Sequence, residues 1–192
     1  AVLQALQEAT SPTGRASAAP TTPVLLHGVT GSGKTEVYLR LAQQTLAQGR
    51  QVLVMVPEIN LTPQLEARLR ARFAVHTVAT LHSGLTPAQR VNHWLQAHLG
   101  QADLVLGTRL SVMASLPRLG LIVVDEEHDP SYKQQEGLRY NARDLAVTRA
   151  SQRGVPIVLG SATPSLETWR HAGERRYHLH RLRQRPNAVP PD

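Results

Sequence analysis

The sequence of 192 residues contains no cysteine, so neither disulfides nor thiolate metal sites can form within it. Lysine is almost missing as well. Of 21 basic residues only Lys34 and Lys133 are lysines, and arginine supplies the rest. No apolar run approaches the ~18 residues that a membrane-spanning helix needs, because Gly, Pro or a charge breaks each one early. No hydrophobic leader opens the chain, so neither secretion nor a membrane partner is expected, and a cytoplasmic location is the default.

What remains is strongly basic, with a formal net charge of +7. Such a balance favours polyanionic partners, although an arginine-rich genome would give the same excess. The two retained lysines carry more information. An ammonium kept at two places in a chain that otherwise uses arginine implies that a compact point charge is wanted there.

Residues 1–23 read as a truncated N-terminal helix, Ala1 to Ala9, followed by a flexible linker, "SPTGRASAAPTTP". From Val24, short apolar runs alternate with helical patterns. The runs are Val24 to Leu26, Val52 to Val56, Val75 to Ala79, Leu104 to Leu106, Leu121 to Val124 and Ile157 to Leu159. Between them lie helical stretches at Lys34 to Gln48, Thr62 to Arg72, Pro87 to Leu99 and Asn141 to Arg153, two of them opened by Thr-Pro caps. This alternation predicts an α/β fold with a mostly parallel sheet and helices on both faces, whose ligands gather at the C-terminal ends of the strands. One lobe is expected over residues 24–185, with six Arg and three His in Trp169 to Arg185 around a possible strand "YHLHRL". Residues 186–192 read as a tail leading toward a further domain.

"HGVTGSGKTE" follows the first strand and opens a helix. Gly28 to Thr35 satisfies G-x-x-x-x-G-K-[ST] in the strand–loop–helix context that gives the pattern meaning. Gly28, Gly31 and Gly33, with Thr30 and Ser32 between them, let backbone N–H groups turn onto phosphates at a helix N-terminus, where Glu36 also lies. Lys34 then reaches the β- and γ-phosphates and Thr35 ligates Mg²⁺. The second requirement of such a site is a carboxylate at another strand end. "LIVVDEEHD" provides it: Asp125 for the metal and Glu126 to polarise the attacking water. For Glu127 and Asp129 a surface role is the expectation. "GSATPS" follows the next apolar strand, with Ser161 and Thr163 able to hydrogen-bond the acidic cluster. No Asn-Lys-x-Asp guanine-reading motif is present, so ATP is the expected nucleotide.

The series "GVTGSGKTE", "VPEINLTPQ", "LHSGL", "GTR", "DEEHDPSYKQQEGLRYNARDLA" and "GSATPSLET" resembles superfamily 2 helicases and, more narrowly, the bacterial replication-restart DNA helicases with a DEEH box. The resemblance implies a RecA-like P-loop NTPase lobe, the first of two, in an ATP- and Mg²⁺-dependent 3′-to-5′ DNA helicase. It also implies single-stranded and forked DNA as ligands, with primosome proteins and single-stranded-DNA-binding protein as partners in the bacterial nucleoid. Zinc is expected only in a cysteine module outside this chain. The second lobe's motifs and the adenine-reading glutamine are not in the sequence, so full ATPase and helicase activity is not expected of the fragment alone.

By position, Thr62, Gln64, Ser83, Thr108 and Arg109 then offer donors for DNA phosphates, with helix capping as the competing role for Thr62 and a salt bridge for Arg109. In this family the loop Pro130 to Tyr140 links DNA binding to hydrolysis. Tyr132, Lys133, Arg139 and Tyr140 are its candidate contacts, with Leu138 where an aromatic residue is usual. Packing of the loop onto the core is an equal alternative for Tyr140. His128 is read as a coupling relay from the nucleotide toward Ser161, Thr163 or Gln135. Two rivals stay open: another superfamily 2 translocase, such as a restriction-enzyme motor, and a non-enzymatic nucleic-acid binder with a vestigial P-loop.

Overall fold

A computed structural model describes residues 21–182. The helix expected at Ala1 to Ala9, most of the linker, residues 183–185 of the expected lobe and the tail at 186–192 lie outside the described residues. In the described chain, β1 (Val24–Gly28) leads into α1 (Lys34–Ala47), and β2 (Gln51–Met55) into α2 (Pro63–Arg72). Next come β3 (Val78–Leu81), α3 (Pro87–His98), β4 (Leu104–Gly107) and β5 (Leu119–Val124). A two-stranded hairpin of β6 (Lys133–Gln134) and β7 (Tyr140–Asn141) precedes α4 (Ala142–Arg153), β8 (Ile157–Ser161), α5 (Leu166–Gly173) and β9 (His178–Leu182).

The main sheet has seven strands in the order β3-β4-β2-β5-β8-β1-β9, and every neighbouring pair is parallel. Its inner strands are buried on both faces, which is why they read as continuous Val/Ile/Leu runs rather than alternating ones. Leu121 and Val123 of β5 face a cluster shared with Val37, Tyr38, Leu41 and Leu46 of α1 and Leu69 of α2. Ile122 and Val124 face the other cluster, which Ala142, Ala146 and Ala150 of α4 help to build. One-residue alternation along each strand thus assigns helices to the two faces.

Local chemistry explains the helix starts. Thr86 Oγ1 accepts from Gln89 N–H at 3.3 Å while Gln89 Oε1 accepts from Thr86 N–H at 3.0 Å, a reciprocal capping box ahead of Pro87. Thr62 caps α2 by accepting from Leu65 N–H at 3.2 Å. The expected third strand needs correction at its start. Val75 is 91% exposed and lies in the turn closed by His76 N–H donating to Phe73 O, and pairing begins only at Val78. Helix α5 and the β6–β7 hairpin were not anticipated.

Strand order decides where the chemistry meets. β8 lies between β1 and β5, so the loop after β1, the acids after β5 and the turn after β8 are side by side at one edge. Gly160 of β8 makes this possible. A Cβ there would stand 1.4 Å from the Tyr38 hydroxyl oxygen, so only glycine lets that side chain cross β8. At the outer edge β9 pairs with β1, bringing Leu182 opposite Gly28.

Candidate functional site

β1 ends at Gly28 and α1 starts at Lys34. Between them Gly31 and Gly33 have φ of +80° and +91°, a region that side-chain-bearing residues enter only with strain. The first-turn N–H groups of α1 lack intrahelical carbonyls and, with the positive end of the helix, form a ready anion site. The Ser32 hydroxyl is buried there without a hydrogen-bond partner among the described residues, an orphaned donor at the floor of the loop. Lys34 is 7% exposed; its Nζ donates to Gly28 O at 2.8 Å and stands 3.8 Å from Glu126 Oε1. Thr30 and Thr35 are exposed. Glu36 departs from expectation at its side chain, which pairs with Arg40 at 2.7 Å on the surface of α1 and with Arg72 at 3.8 Å.

Asp125 closes β5 and is built into its surroundings. Its N–H donates to Met55 O, its carbonyl accepts from the Tyr132 hydroxyl at 2.7 Å, and its Oδ1 accepts from both Tyr38 Oη and Glu126 N–H at 3.1 Å. Burial first, then the Asp125 charge, hold the Tyr38 hydroxyl well above the usual phenol range, so it stays a donor. Burial, then repulsion from Glu126, raises the Asp125 carboxyl from its ordinary value, with Tyr38, the Glu126 N–H and Lys34 offsetting part of the rise. Oδ2 of Asp125 carries no hydrogen bond among the described residues. Thr35 and Asp125 also line a small cavity of about 60 Å³ whose other walls are Tyr38 and apolar side chains such as Leu39, Val56, Leu69 and Phe73.

These donors fit magnesium. A hydroxyl and one or two carboxylates, completed by water and phosphate oxygens, are what that cation takes, and no cluster of three or more His, Cys, Asp or Glu suited to a metal occurs among the described residues. The raised Asp125 carboxyl has a measurable consequence. A carboxyl whose folded pKa exceeds its unfolded value penalises the native state above the folded pKa, and the penalty vanishes below the unfolded value of about 3.9. Asp125→Asn keeps an acceptor for Tyr38 and Glu126, so it should raise the melting temperature at pH 7, lose that advantage near pH 3, and abolish stabilisation by Mg-nucleotide. Thermal melts across pH, with and without Mg-ADP, check this.

Glu126 follows with φ of +45°, one of two non-glycine residues at positive φ among those described. A left-handed residue costs roughly 1–2 kcal/mol and persists where its neighbours over-determine it. Here the strain aims Oε1 at Lys34 and leaves Oε2 3.7 Å from His128 Nδ1. His128 Nδ1 lies 2.8 Å from Ser161 Oγ and its Nε2 3.3 Å from Thr163 Oγ1, while Thr163 N–H donates to Ser161 Oγ at 2.9 Å. The contacts of His128 therefore reach Ser161 and Thr163. Gln135, in contrast, is exposed on the hairpin and makes no hydrogen bond to His128 among the described residues.

Glu127 requires a correction. It is not a surface acid: its side chain is fully buried, bonded to Ser165 and Thr168 and paired with Arg143 at 3.1 Å. Asp129 is partly buried and accepts from Ser131 N–H at 2.8 Å, closing the turn after the acids.

The candidates for DNA contact divide. Gln64, Lys133 and Arg139 are exposed; Thr62 is exposed although it caps α2. Ser83 is exposed and donates to Glu58 Oε1. Arg109 is partly buried and donates to Ser131 O at 3.3 Å, joining the loop after β4 to the turn after the acids. Thr108 is buried, which leaves its hydroxyl no open face for a phosphate. Tyr132 is 1% exposed and spends its hydroxyl on Asp125 O, so it cannot stack on a base. Burial, then the Asp125 charge, keep it protonated. Tyr140 packs part of its ring on the core, as its alternative reading anticipated. Leu138 is 77% exposed at the hairpin tip. Sequence reasoning missed Tyr38, Arg143, Ser165 and Thr168. Only Tyr38 carried a signal, lying one helical turn beyond Lys34 on the same face.

Residues 5–171 match the family model described as DEAD/DEAH box helicase. The chain belongs to this helicase family. Among curated relatives of this DEAD/DEAH box helicase chain, Replication restart protein PriA of Synechocystis sp. is 51% identical over 172 residues, covering 87% of this chain and 21% of the relative. Its namesake in Bacillus subtilis is 47% identical, with 85% and 20% covered. The protein of that name in Haemophilus influenzae is 50% identical, with 81% and 21% covered. The chain thus spans about a fifth of the length of these relatives. In fold, this helicase chain is similar to RecG bound to a three-way DNA junction, with a TM-score of 0.62, 26% identity, and 96% and 24% of the two chains covered. The DUF1998 helicase MrfA bound to DNA has a TM-score of 0.63 at 18% identity, a likeness of fold alone. The α/β architecture is therefore that of a RecA-like helicase lobe.

Proposed function

We propose that this chain is the ATP-binding lobe of an ATP-dependent DNA helicase that acts in replication restart. One observation carries the reading: the fold brings Lys34 Nζ, from the loop after β1, within 3.8 Å of the Glu126 carboxylate, from the end of β5, beside Asp125. A phosphate cradle and a pair of acids have no reason to converge in a passive binder. The similarity to replication-restart relatives over most of the chain favours that role over a restriction-enzyme motor.

The chemistry follows from the placement. Lys34 and the first-turn N–H groups of α1 hold the β- and γ-phosphates. Thr35 and Asp125 would hold magnesium, which when bound neutralises charge on those phosphates. Glu126 accepts a proton from a water whose oxygen attacks the γ-phosphorus, and the leaving oxygen departs with ADP. Ser161 and Thr163, tied to His128, register whether the γ-phosphate is present. Gln64, Arg139 and Lys133, with Thr62, Ser83 and Arg109, supply donors for a DNA backbone. Forked and single-stranded DNA are the proposed ligands, primosome proteins and single-stranded-DNA-binding protein the proposed partners, and the bacterial nucleoid the proposed place of action.

A transition-state arginine from a second lobe contributes ~10³–10⁵ in rate to related enzymes. The isolated lobe should therefore be stabilised by Mg-nucleotide yet turn ATP over slowly, whereas the full-length protein should hydrolyse ATP in response to forked DNA. Steady-state ATPase assays of both, with and without DNA, decide the matter. DNA-independent turnover by the lobe at the full-length rate, or no turnover by the full-length protein on any DNA, would overturn the reading.

A further inference from the structure

Glu127 is next to the proposed base, yet its side chain faces away from the nucleotide loop. Its carboxylate is buried and saturated. Oε1 accepts from Ser165 N–H at 2.8 Å, and Oε2 accepts from Ser165 Oγ at 3.1 Å, Thr168 Oγ1 at 2.9 Å and Arg143 Nη1 at 3.1 Å. Those donors come from the turn after β8, the first turn of α5 and the first turn of α4. Taking a carboxylate out of water is costly, and a solvated acid would end a strand equally well, so the burial calls for a reason.

The reason lies in the backbone on either side of Glu126. Behind it, Asp125 is fixed by its N–H on Met55 O and its carbonyl under the Tyr132 hydroxyl. Ahead of it, Glu127 is fixed by its N–H on Gly160 O at 3.0 Å and by the four bonds to its carboxylate. Glu126, at φ +45°, is the residue between two anchors, and the conformation that aims it at Lys34 depends on both. The same carboxylate also grips the segment that carries Ser161 and Thr163. That segment is bound to the acid turn from two sides, through His128 with Ser161 and Thr163 at its open side and through Ser165 and Glu127 inside.

We propose that Glu127 is a positioning residue: through Arg143, Ser165 and Thr168 it holds Glu126 in its left-handed conformation and sets the spacing between the acid turn and the Ser161–Thr163 turn. The inference rests on Glu126 being the base of ATP hydrolysis, and it adds a residue that tunes that base without touching substrate.

The test uses the full-length protein with Glu127→Gln and with the double variant Glu127→Met/Arg143→Met. The double variant leaves no unpaired buried charge, so it keeps a folded protein available if the single one misfolds. Both should keep KM for ATP within about twofold while kcat falls about 10–100-fold, the usual scale for losing a group that orients a reacting one. Adding His128→Ala to Glu127→Gln should cost less than the product of the two single losses, because both act on one turn. In a crystal structure of the double variant, Glu126 should have left positive φ. Unchanged kcat per folded molecule with only a lower melting temperature would overturn the proposal, as would a retained left-handed Glu126. Failure of the underlying reading is separate: it would appear as undiminished hydrolysis by Glu126→Gln, whatever Glu127 does.

Discussion

Lys34→Ala in the full-length protein should lower DNA-stimulated kcat/KM for ATP by at least ~10²-fold, the scale on which removing a single preorganised donor is felt. The expectation is large because the ammonium has two tasks. It would meet the β- and γ-phosphates, and it is paired with the Glu126 carboxylate at 3.8 Å. The other side-chain nitrogen near Glu126 among the described residues is His128 Nδ1, at 3.7 Å. Lys34 is held by Gly28 O, already inside the loop, so it need not be recruited from solvent. Arginine is not a substitute, since its planar fork cannot occupy the place of a compact ammonium that is 7% exposed. Two measurements check this: steady-state ATPase on forked DNA, and the thermal shift of the lobe with Mg-ADP, which a ligand at a hundred times its Kd raises by ~2.7 kcal/mol of stability. The variant should show neither. Equal hydrolysis by variant and wild type would remove Lys34 from the site.

Glu126→Gln should separate what Lys34→Ala removes together. The amide keeps the length of the side chain and its place between Lys34 and His128, but it cannot take a proton from water. Hydrolysis should fall ~10²–10⁴-fold, the range that a positioned acid or base contributes. Nucleotide binding should persist and tighten, because a like charge beside Asp125 and the phosphates has gone. Single-turnover hydrolysis, set beside Mg-nucleotide titrations followed by thermal shift, gives both quantities. A variant that still hydrolyses at the wild-type rate would show that another group activates the water. One that binds no nucleotide would show that Glu126 shapes the site rather than reacting in it.

The nucleotide loop was legible in the sequence because everything it needs is local. Gly31 and Gly33 turn the chain, Lys34 opens the helix, and the pattern is spelled within ten residues. The inner strands were legible for a related reason: burial on both faces writes itself as unbroken apolar runs such as Leu121 to Val124. Legibility failed where a residue's role is set by a partner far along the chain. Glu127 sits in an acidic run that reads as solvated, and its partners Arg143, Ser165 and Thr168 lie 16 to 41 positions away. Tyr132 looked like a DNA contact, and only the fold shows that its hydroxyl turns back to Asp125. Val75 has strand composition but lies in the turn after α2 that His76 N–H closes on Phe73 O, and bonding toward β4 starts only at Thr77. Helix α5 was missed because it is only eight residues long and its large apolar residues, Leu166 and Trp169, are exposed rather than part of a core run.

The last strand has a mechanical side. β9 hangs on the sheet by a single neighbour, β1, and its register seats Leu182 against Gly28, where a side chain on the glycine would come within 3.0 Å of the leucine Cβ. Strand β9 thus ends beside the glycine from which the loop between β1 and α1 starts. A shift of β9 along β1 would press Leu182 on Gly28, so the outermost strand and the glycine loop cannot move independently.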